Sequence, residues 1–376
     1  MMTILFWASF GTLLYIYFGY PAAVTLLARF FGKEPARKEI SPSVSLVIPA
    51  FDEEVHIRQK IENSLLLRYP KEKMEIVVAN DGSTDGTEKI AREFENRGVR
   101  LFSMERNIGK AAMLDRVVPQ LAGEIVVFSD ASSQLDPDAL GKLVRSFNDP
   151  AVGCVCGQYK MGGSGDLRGE GEGLYWKYET FIKRQESRLH SILGAHGALY
   201  AIRKGLYSPL GESAVNDDYL VPMRIVAAGH RAVYEPEALV FEREIVSIKG
   251  EFSRRRRIAV GNCQQIAELK EMISPRYGWI AFSFFSHKIL RTLAPLFMAG
   301  MLAGSFFLPA LLGAIALALQ GLFYLSAYAG FLCQRKGWSV RILSAPLYFC
   351  LGNLAMLAGL IRYCFQGNKL VWERSR

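Results

Sequence analysis

The sequence lacks the glycine-rich fingerprints that bind nucleotides in the commonest nucleotide-dependent enzymes. No GxxxxGK[ST] and no GxGxxG follows any of its strand-like segments. These glycines let the backbone approach a phosphate closely, so their absence disfavours kinase, ATPase and dehydrogenase functions. A lone Gly109-Lys110 pair follows one strand-like segment and opens a helical one, and it remains a candidate phosphate contact.

The cysteines lack the spacing of a metal site or a disulfide framework. The six cysteines are scattered along the chain. Cys154 and Cys156 lie two positions apart on a strand-like run with a valine between them, and we expect both to be structural rather than ligands. This cysteine usage suits a reducing cytosol.

The first apolar run lacks the basic segment that would precede it in a cleaved signal peptide. It covers residues 3–31, which is long enough to cross a bilayer, and Arg29, Lys33, Arg37 and Lys38 come at or after its end. Because basic residues favour the cytoplasmic side, we expect the N-terminus outside and residue 33 onward in the cytoplasm. Such basic flanks and anionic lipids account for the net charge of +9, so we expect a lipid bilayer and no nucleic acid as partner.

Three further apolar runs, at about 293–308, 310–332 and 342–365, predict a multi-pass protein of the cell membrane. Three spans after a cytoplasmic domain would leave the C-terminus outside, whereas its basic tail favours the inside, so the number of spans stays open. The predicted organisation begins with an N-terminal transmembrane helix (1–32) and a catalytic domain (43–250). Interfacial helices (251–291), C-terminal transmembrane helices (292–366) and a tail (367–376) follow.

Between the apolar ends, short apolar runs alternate with helical patterns. The strand-like runs are VSLVIPA, EIVVAND, VRLFSM and EIVVFSD, and the helical patterns lie at about 54–67, 84–97, 109–119 and 137–148. This alternation predicts an α/β domain with a parallel sheet covered on both faces. Ligands bind beyond the carboxyl ends of such strands, where Asp81 and Asp130 both lie.

The aspartates at these strand ends have two interpretations. Each can be a turn or cap residue, because Asp, Gly and Ser dominate turns. Alternatively, Asp81 accepts hydrogen bonds from a nucleoside, and Asp130 holds Mg²⁺ or Mn²⁺ with Ser132 as a weak oxygen ligand.

Two later segments also carry candidate chemistry. Asp217 and Asp218 open a helix, where one can cap it and the other can take a proton from an incoming hydroxyl. The block SRRRRIAVGN (253–262) can contact lipid, or one of its arginines can grip a leaving diphosphate.

Taken in order, these segments resemble the family 2 glycosyltransferases. The matching pieces are VSLVIPAFDEE, NDGSTDGT, RNIGKAAML, FSDASSQLDPDAL, the NDD of 216–218 and RRRRIAVGN, spanning about residues 43–262. The resemblance is to the membrane-embedded bacterial branch related to cellulose, chitin and hyaluronan synthases. It implies a GT-A fold (Rossmann-like, with a mainly parallel sheet), a nucleotide-sugar donor that is usually UDP-linked, and a divalent cation, Mg²⁺ or Mn²⁺.

The resemblance also implies roles for individual residues. Asp52 and Asp81 would contact the nucleoside, and Lys110 would lie near uridine or phosphate. Asp130 would serve the metal ion and the diphosphate. Asp218 would be the general base.

The same resemblance implies that Arg257 would hold the leaving diphosphate. The sequence differs from the family pattern at two places that matter for function. Ser132 stands where the family usually has a second metal-binding acid. The family's QxxRW has become RRRRI (254–258), and the missing tryptophan puts processive polymerisation in doubt. Trp176 is expected to pack or to line an acceptor site, and His196 ranks below the acids as a functional residue.

The function predicted is inverting transfer of a sugar from a nucleotide-diphosphate sugar to a saccharide acceptor in exopolysaccharide or cell-surface glycan synthesis. One alternative is the transfer of a single sugar to a polyprenyl phosphate or another lipid acceptor. A second alternative is a nucleotide-binding transporter or export component, which the lack of intramembrane charges disfavours.

Overall fold

The apolar runs of the sequence form the buried strands of one mixed sheet. The structure, a computed structural model, describes residues 2–161, 170–211, 214–242, 248–336, 338 and 340–366. In chain order its strands are β1 (Val44–Ala50), β2 (Met74–Asn80), β3 (Val99–Ser103), β4 (Ile125–Phe128), β5 (Ser133–Leu135), β6 (Val152–Met161), β7 (Tyr200–Arg203) and β8 (Arg231–Glu242). Neighbours in the sheet follow the order β3-β2-β1-β4-β7-β6-β8-β5.

Helices fall into a set around the sheet and a set at the two ends of the chain. Around the sheet lie α3 (Ile57–Leu65), α4 (Thr87–Arg92), α5 (Lys110–Val117), α6 (Ala139–Val144), α7 (Glu170–Leu189), α8 (Asp217–Ala227) and α9 (Ile248–Glu268). The end helices are α1 (Met2–Leu14), α2 (Tyr20–Phe31), α10 (Trp279–Ser283), α11 (Leu290–Thr292), α12 (Ala294–Ser305), α13 (Ala310–Arg335) and α14 (Arg341–Gln366). Two π-helical segments, Tyr15–Gly19 and Phe284–Ile289, join α1 to α2 and α10 to α11.

The alternation of strands and helices correctly predicted the parallel half of the sheet. Strands β3, β2, β1 and β4 are parallel neighbours. All seven residues of β1 are buried, because helices cover both faces. Met113 of α5 packs in the cluster with Val47, and Leu140 of α6 packs in the cluster with Leu46 on the other face.

The other half of the sheet is mixed, which the local pattern did not show. Strand β7 is antiparallel to β4 and β6, β5 is antiparallel to β8, and β8 is parallel to β6. Parallel pairings still outnumber antiparallel ones by four to three, so the predicted mainly parallel α/β fold is confirmed.

Three helical stretches are long and apolar enough to cross a membrane: Met2–Phe31, Ala310–Arg335 and Arg341–Phe365. The stretch Ala294–Ser305 is also apolar but shorter. These segments coincide with the apolar runs of the sequence. Pro309 lies between two of these runs and is the N-cap residue of α13.

Helix α14 packs closely on the arginine-bearing helix α9 because glycine faces the contact. A Cβ at Gly359 would lie 2.3 Å from the Cβ of Ala259 and 3.0 Å from the carbonyl oxygen of Arg256. Real side chains do not tolerate the first distance. A candidate membrane span is therefore held directly against the helix that carries the arginines.

We predict that Gly359→Ala lowers the stability of the detergent-solubilised protein by about 1–3 kcal/mol, because the added methyl group pushes α14 from α9. The matched control is Gly321→Ala, since a Cβ there meets nothing within 4 Å. It should be neutral, or stabilise by about 0.5–1 kcal/mol through helix propensity. Thermal unfolding midpoints measure both variants, and equal midpoints would contradict the close contact.

Candidate active site

A single cavity of about 580 Å³ joins the carboxyl edge of the parallel strands to the end helices. At the sheet edge it is lined by Lys110, Asp130 and Asp218, and α9 contributes Arg257. Farther away the lining comes from helix α7, the 284–292 region and α14. Ser132 also lines it, so five of the seven predicted site residues face one space, whereas Asp52 and Asp81 do not.

Lys110 neutralises the carboxylates that meet at the sheet edge. Its Nζ lies 3.1 Å from Oδ1 of Asp130 and 3.2 Å from Oδ1 of Asp217. Burial opposes the charge on Lys110, but Asp130 and Asp217 outweigh burial and raise its pKa. Burial likewise opposes ionisation of Asp130, and Lys110 outweighs it to hold the pKa of Asp130 below its usual value.

The adjacent aspartates at the start of α8 have different partners, as their neighbouring positions require. Asp217 is buried beside Lys110 and accepts a hydrogen bond from the Tyr200 hydroxyl at 3.3 Å. Asp218 instead accepts one from the backbone N–H of Gly197, at 3.0 Å on Oδ2. Burial, aided by the charge of Asp217, raises the pKa of Asp218 to about 6. Asp218 is therefore a carboxylate at neutral pH with useful basicity.

Gly197 has to be glycine because the site is crowded at this point. A Cβ at Gly197 would lie 2.8 Å from Oδ2 of Asp130. The same residue thus contacts Asp218 through its N–H and leaves room for Asp130. The neighbouring His196 stacks on Tyr159 at 4.5 Å, and burial and Lys183 lower its pKa to about 3, so it is neutral.

The two aspartates predicted to contact a nucleoside hold loops beside the cavity. Asp81 is fully buried, and its carboxylate accepts hydrogen bonds from the N–H groups of Ile108 and Gly109, both at 2.9 Å. Asp52 accepts the N–H of Thr84 at 2.8 Å and has a φ of 53°, which is unusual for a residue other than glycine. Neither aspartate lines the cavity, so their nucleoside contacts remain predictions.

The oxygen atoms near Ser132 suit a divalent cation. The Ser132 hydroxyl donates to Oε1 of Glu242 at 2.8 Å, because β5 pairs with β8 and places Ser133 opposite Glu242. The carboxylate of Glu242 therefore lies next to Ser132, the position at which the sequence has no second acid. Carboxylate and hydroxyl oxygens are ligands that Mg²⁺ and Mn²⁺ accept. In the described part of the chain no three His, Cys, Asp or Glu side chains are arranged so that they could hold a metal ion, so substrate oxygens would have to complete the coordination.

Three of the four arginines of the sequence block, Arg254, Arg255 and Arg257, line the cavity. Arg254 and Arg255 form ion pairs with the buried Glu251 on the same helix. Arg257 lines the cavity, where burial and Arg254 lower its pKa while Asp130, Asp218 and Asp217 act in the opposite direction. The acidic groups at the sheet edge therefore act on Arg257.

Lys60 is a residue near the site that the sequence interpretation missed. It is fully buried, and its Nζ donates to the Ser129 hydroxyl at 2.6 Å and to the Ser133 carbonyl at 2.8 Å, on either side of Asp130. Burial lowers the pKa of Lys60 to about 7. The available signal was its place on the apolar face of α3, between Ile57 and Ile61.

We predict that Lys110→Met destabilises the ligand-free protein by about 3 kcal/mol, because it leaves neighbouring carboxylates unpaired. The double variant Lys110→Met, Asp217→Asn should recover part of this loss by removing one of the repelling charges. Thermal midpoints in detergent, without metal or nucleotide, measure the effect. Lys89→Met, at an exposed lysine, is the control. An additive double variant would contradict the coupling.

Comparisons with known proteins show which family part of this chain resembles. Residues 45–211 match the model of the family described as "Glycosyl transferase family 2". The poly-β-1,6-N-acetyl-D-glucosamine synthase of Staphylococcus epidermidis is 27% identical over 224 residues, which are 58% of this chain and 54% of the synthase. A probable glycosyltransferase, YdaM of Bacillus subtilis, is 27% identical over 243 residues, 59% of this chain and 55% of its own. The match spans about half the length of these curated relatives.

A solved structure extends the comparison to the whole fold. The mannosyltransferase PcManGT of Pyrobaculum calidifontis, in complex with GDP-Man and Mn²⁺, covers 97% of this chain and 99% of its own, with a TM-score of 0.75 and 21% identity. At this identity the likeness establishes the fold. Residues 45–211 therefore match the family 2 glycosyltransferases, and the chain has the GT-A fold.

Proposed function

We propose that this enzyme transfers a sugar, with inversion, from a UDP-linked sugar to a hydroxyl of a saccharide acceptor, in the synthesis of an exopolysaccharide or cell-surface glycan. The observation that carries the proposal is the shared cavity, in which Asp218 lies with Lys110, Asp130 and Arg257. The names of the curated relatives support a polysaccharide product. In this proposal the protein is a multi-pass protein of the cell membrane, and its catalytic domain is cytoplasmic.

Asp218 is the proposed general base. Gly197 N–H holds one carboxylate oxygen, and no other hydrogen bond to the Asp218 carboxylate is made in the described part of the chain. The carboxylate can therefore accept the proton of the acceptor hydroxyl while that oxygen attacks the anomeric carbon. The bond from this carbon to the donor diphosphate breaks, and the nucleoside diphosphate leaves on the opposite face.

The leaving diphosphate requires positive charge, which Arg257 and Lys110 supply in the proposal. Asp130 and Ser132, with Glu242 beside them, would hold Mg²⁺ or Mn²⁺, which would neutralise charge on the diphosphate. Asp52 and Asp81 would contact the nucleoside through the loops that they hold in place.

Transfer of one sugar to a lipid acceptor remains a second candidate, which one observation favours. The cavity continues from Asp218 to Tyr348 and Asn353 of α14, a helix long and apolar enough to cross a membrane. We set aside a purely nucleotide-binding transport component, because residues 45–211 match a glycosyltransferase family.

The pH dependence of transfer tests the base. Since burial raises the pKa of Asp218 to about 6, the carboxylate is protonated and inactive below that pH. We predict that kcat/KM rises with pH up to about 6 and is level above it. Asp218→Asn should lower the rate by about 10²–10⁴-fold. Release of UDP from UDP-sugars by protein in nanodiscs, between pH 5 and 8, measures both.

The matched control for this experiment is Asp138→Asn, an exposed aspartate that pairs with Arg68. Near wild-type turnover by Asp218→Asn, together with loss of turnover in Asp130→Ala, would show that the base assignment is wrong.

Direct metal binding tests the role of Glu242. We predict that Glu242→Gln weakens Mn²⁺ affinity in the presence of UDP by about 10–100-fold. The double variant Ser132→Asp, Glu242→Gln should restore affinity, because it moves the second carboxylate to the residue that precedes β5. Electron paramagnetic resonance of free Mn²⁺ reports binding without turnover. Unchanged affinity in Glu242→Gln would remove Glu242 from the metal site.

A further inference from the structure

Part of the cavity lining carries cations that the transfer chemistry does not use. We call this surface the membrane-side wall. It consists of Lys183 of α7, Tyr219 of α8, Lys288 and Arg291 of the 284–292 region, and Asn353 of α14.

Lys288 is a cation without a carboxylate partner. Its Nζ lies 4.4 Å from the centre of the Tyr219 ring, and in the described part of the chain it makes no ion pair with an acid within 4.0 Å. Burial lowers the pKa of Lys288 to about 8, so its charge is held at a cost. Charged groups removed from water are normally paired, and an anion in the cavity would supply the missing partner.

The Tyr219 hydroxyl is a second unsatisfied group at the same place. Tyr219 is 6% exposed, and its hydroxyl has no hydrogen-bond partner among the described residues. Buried hydroxyl groups normally donate or accept a hydrogen bond. Tyr219 directly follows Asp218, so any ligand that it binds would lie near the proposed base.

The nearby acids, Glu179 and Glu186, have partners other than Lys288, although Oε2 of Glu186 has no hydrogen-bond partner among the described residues. Glu179 accepts from Arg291 at 2.9 Å. Oε1 of Glu186 accepts from the Tyr20 hydroxyl at 2.6 Å and contacts Nδ1 of His287 at 2.7 Å. The three cations of the membrane-side wall, Lys183, Lys288 and Arg291, outnumber these two acids, so positive charge is left for a ligand.

We propose that the membrane-side wall binds the phosphate group of a lipid-linked acceptor, with Lys288 and the Tyr219 hydroxyl as its direct contacts. This inference rests on the proposed function and specifies its acceptor. The donor diphosphate has its own cations, Lys110 and Arg257, at the sheet edge. The phosphate at the wall would instead anchor the acceptor lipid, whose chain would lie toward α14 and whose sugar hydroxyl would reach Asp218.

Three probes in phosphatidylcholine nanodiscs distinguish the sources of such a phosphate: a polyprenyl monophosphate, the corresponding polyprenol and phosphatidylglycerol. Quenching or enhancement of tryptophan fluorescence reports binding, since Trp176 lines the same cavity. The wild-type protein should bind the monophosphate at least about tenfold more tightly than the polyprenol, as expected for a charge-assisted contact.

Lys288→Met should lower the affinity for the monophosphate by about tenfold or more. Tyr219→Phe, which keeps the ring that Lys288 contacts, should lower it several-fold, and it keeps the proposal testable if Lys288→Met fails to fold. Lys336→Met is the control, because this lysine lies outside the cavity at the end of α13.

The proposal is overturned if both Lys288→Met and Tyr219→Phe bind the monophosphate within twofold of the wild type, or if the polyprenol binds as tightly as the monophosphate. Equal binding of phosphatidylglycerol would overturn it too, because the wall would then hold bulk lipid headgroups. Wild-type hydrolysis of UDP-sugars, measured in parallel, separates the two proposals. Lipid-phosphate binding without donor turnover would reject the proposed function, whereas turnover with a soluble saccharide and no lipid-phosphate binding would reject only this inference.

Discussion

The site depends on the neutralisation of three carboxylates that the fold brings together at one edge of the sheet. Asp130 follows β4, and Asp217 and Asp218 open α8, so the mutual repulsion of these acids has to be offset. Lys110 offsets it by contacting Asp130 and Asp217 directly. Asp218 is left outside both ion pairs, so burial and the charge of Asp217 raise its pKa. Lys110 thus keeps Asp130 and Asp217 in ion pairs, whereas Asp218 can accept a proton.

The local pattern of the sequence was sufficient for the parallel half of the sheet and for much of the site. Continuous apolar runs predicted β1 to β4, and the aspartates at strand ends predicted where the cavity opens. Lys110, Asp130, Ser132, Asp218 and Arg257 do line one cavity. The strands could be predicted because each depends on residues close together in the chain, whereas the chemical roles of these five residues stay predictions.

The features that were missed depend on contacts between distant segments. Strand β5 has three residues, and it exists because β8, about 100 residues later, pairs with it. The same pairing brings Glu242 to Ser132 and supplies the carboxylate that the motif lacks. Lys288 and Tyr219 likewise meet only in the folded chain.

The cavity lies between the sheet domain and the helices at the C-terminal end of the chain. Helix α14 packs on α9 through Gly359, and both helices line the space that Asp218 faces. The proposed mechanism requires a single attack on the donor. Asp218 serves as the base, and other residues provide the positive charge that stabilises the leaving diphosphate. The most direct test is the anomeric configuration of the product formed from a UDP-α-sugar, read from its proton coupling constant. The account predicts a β-linked product, and an α-linked product would contradict it.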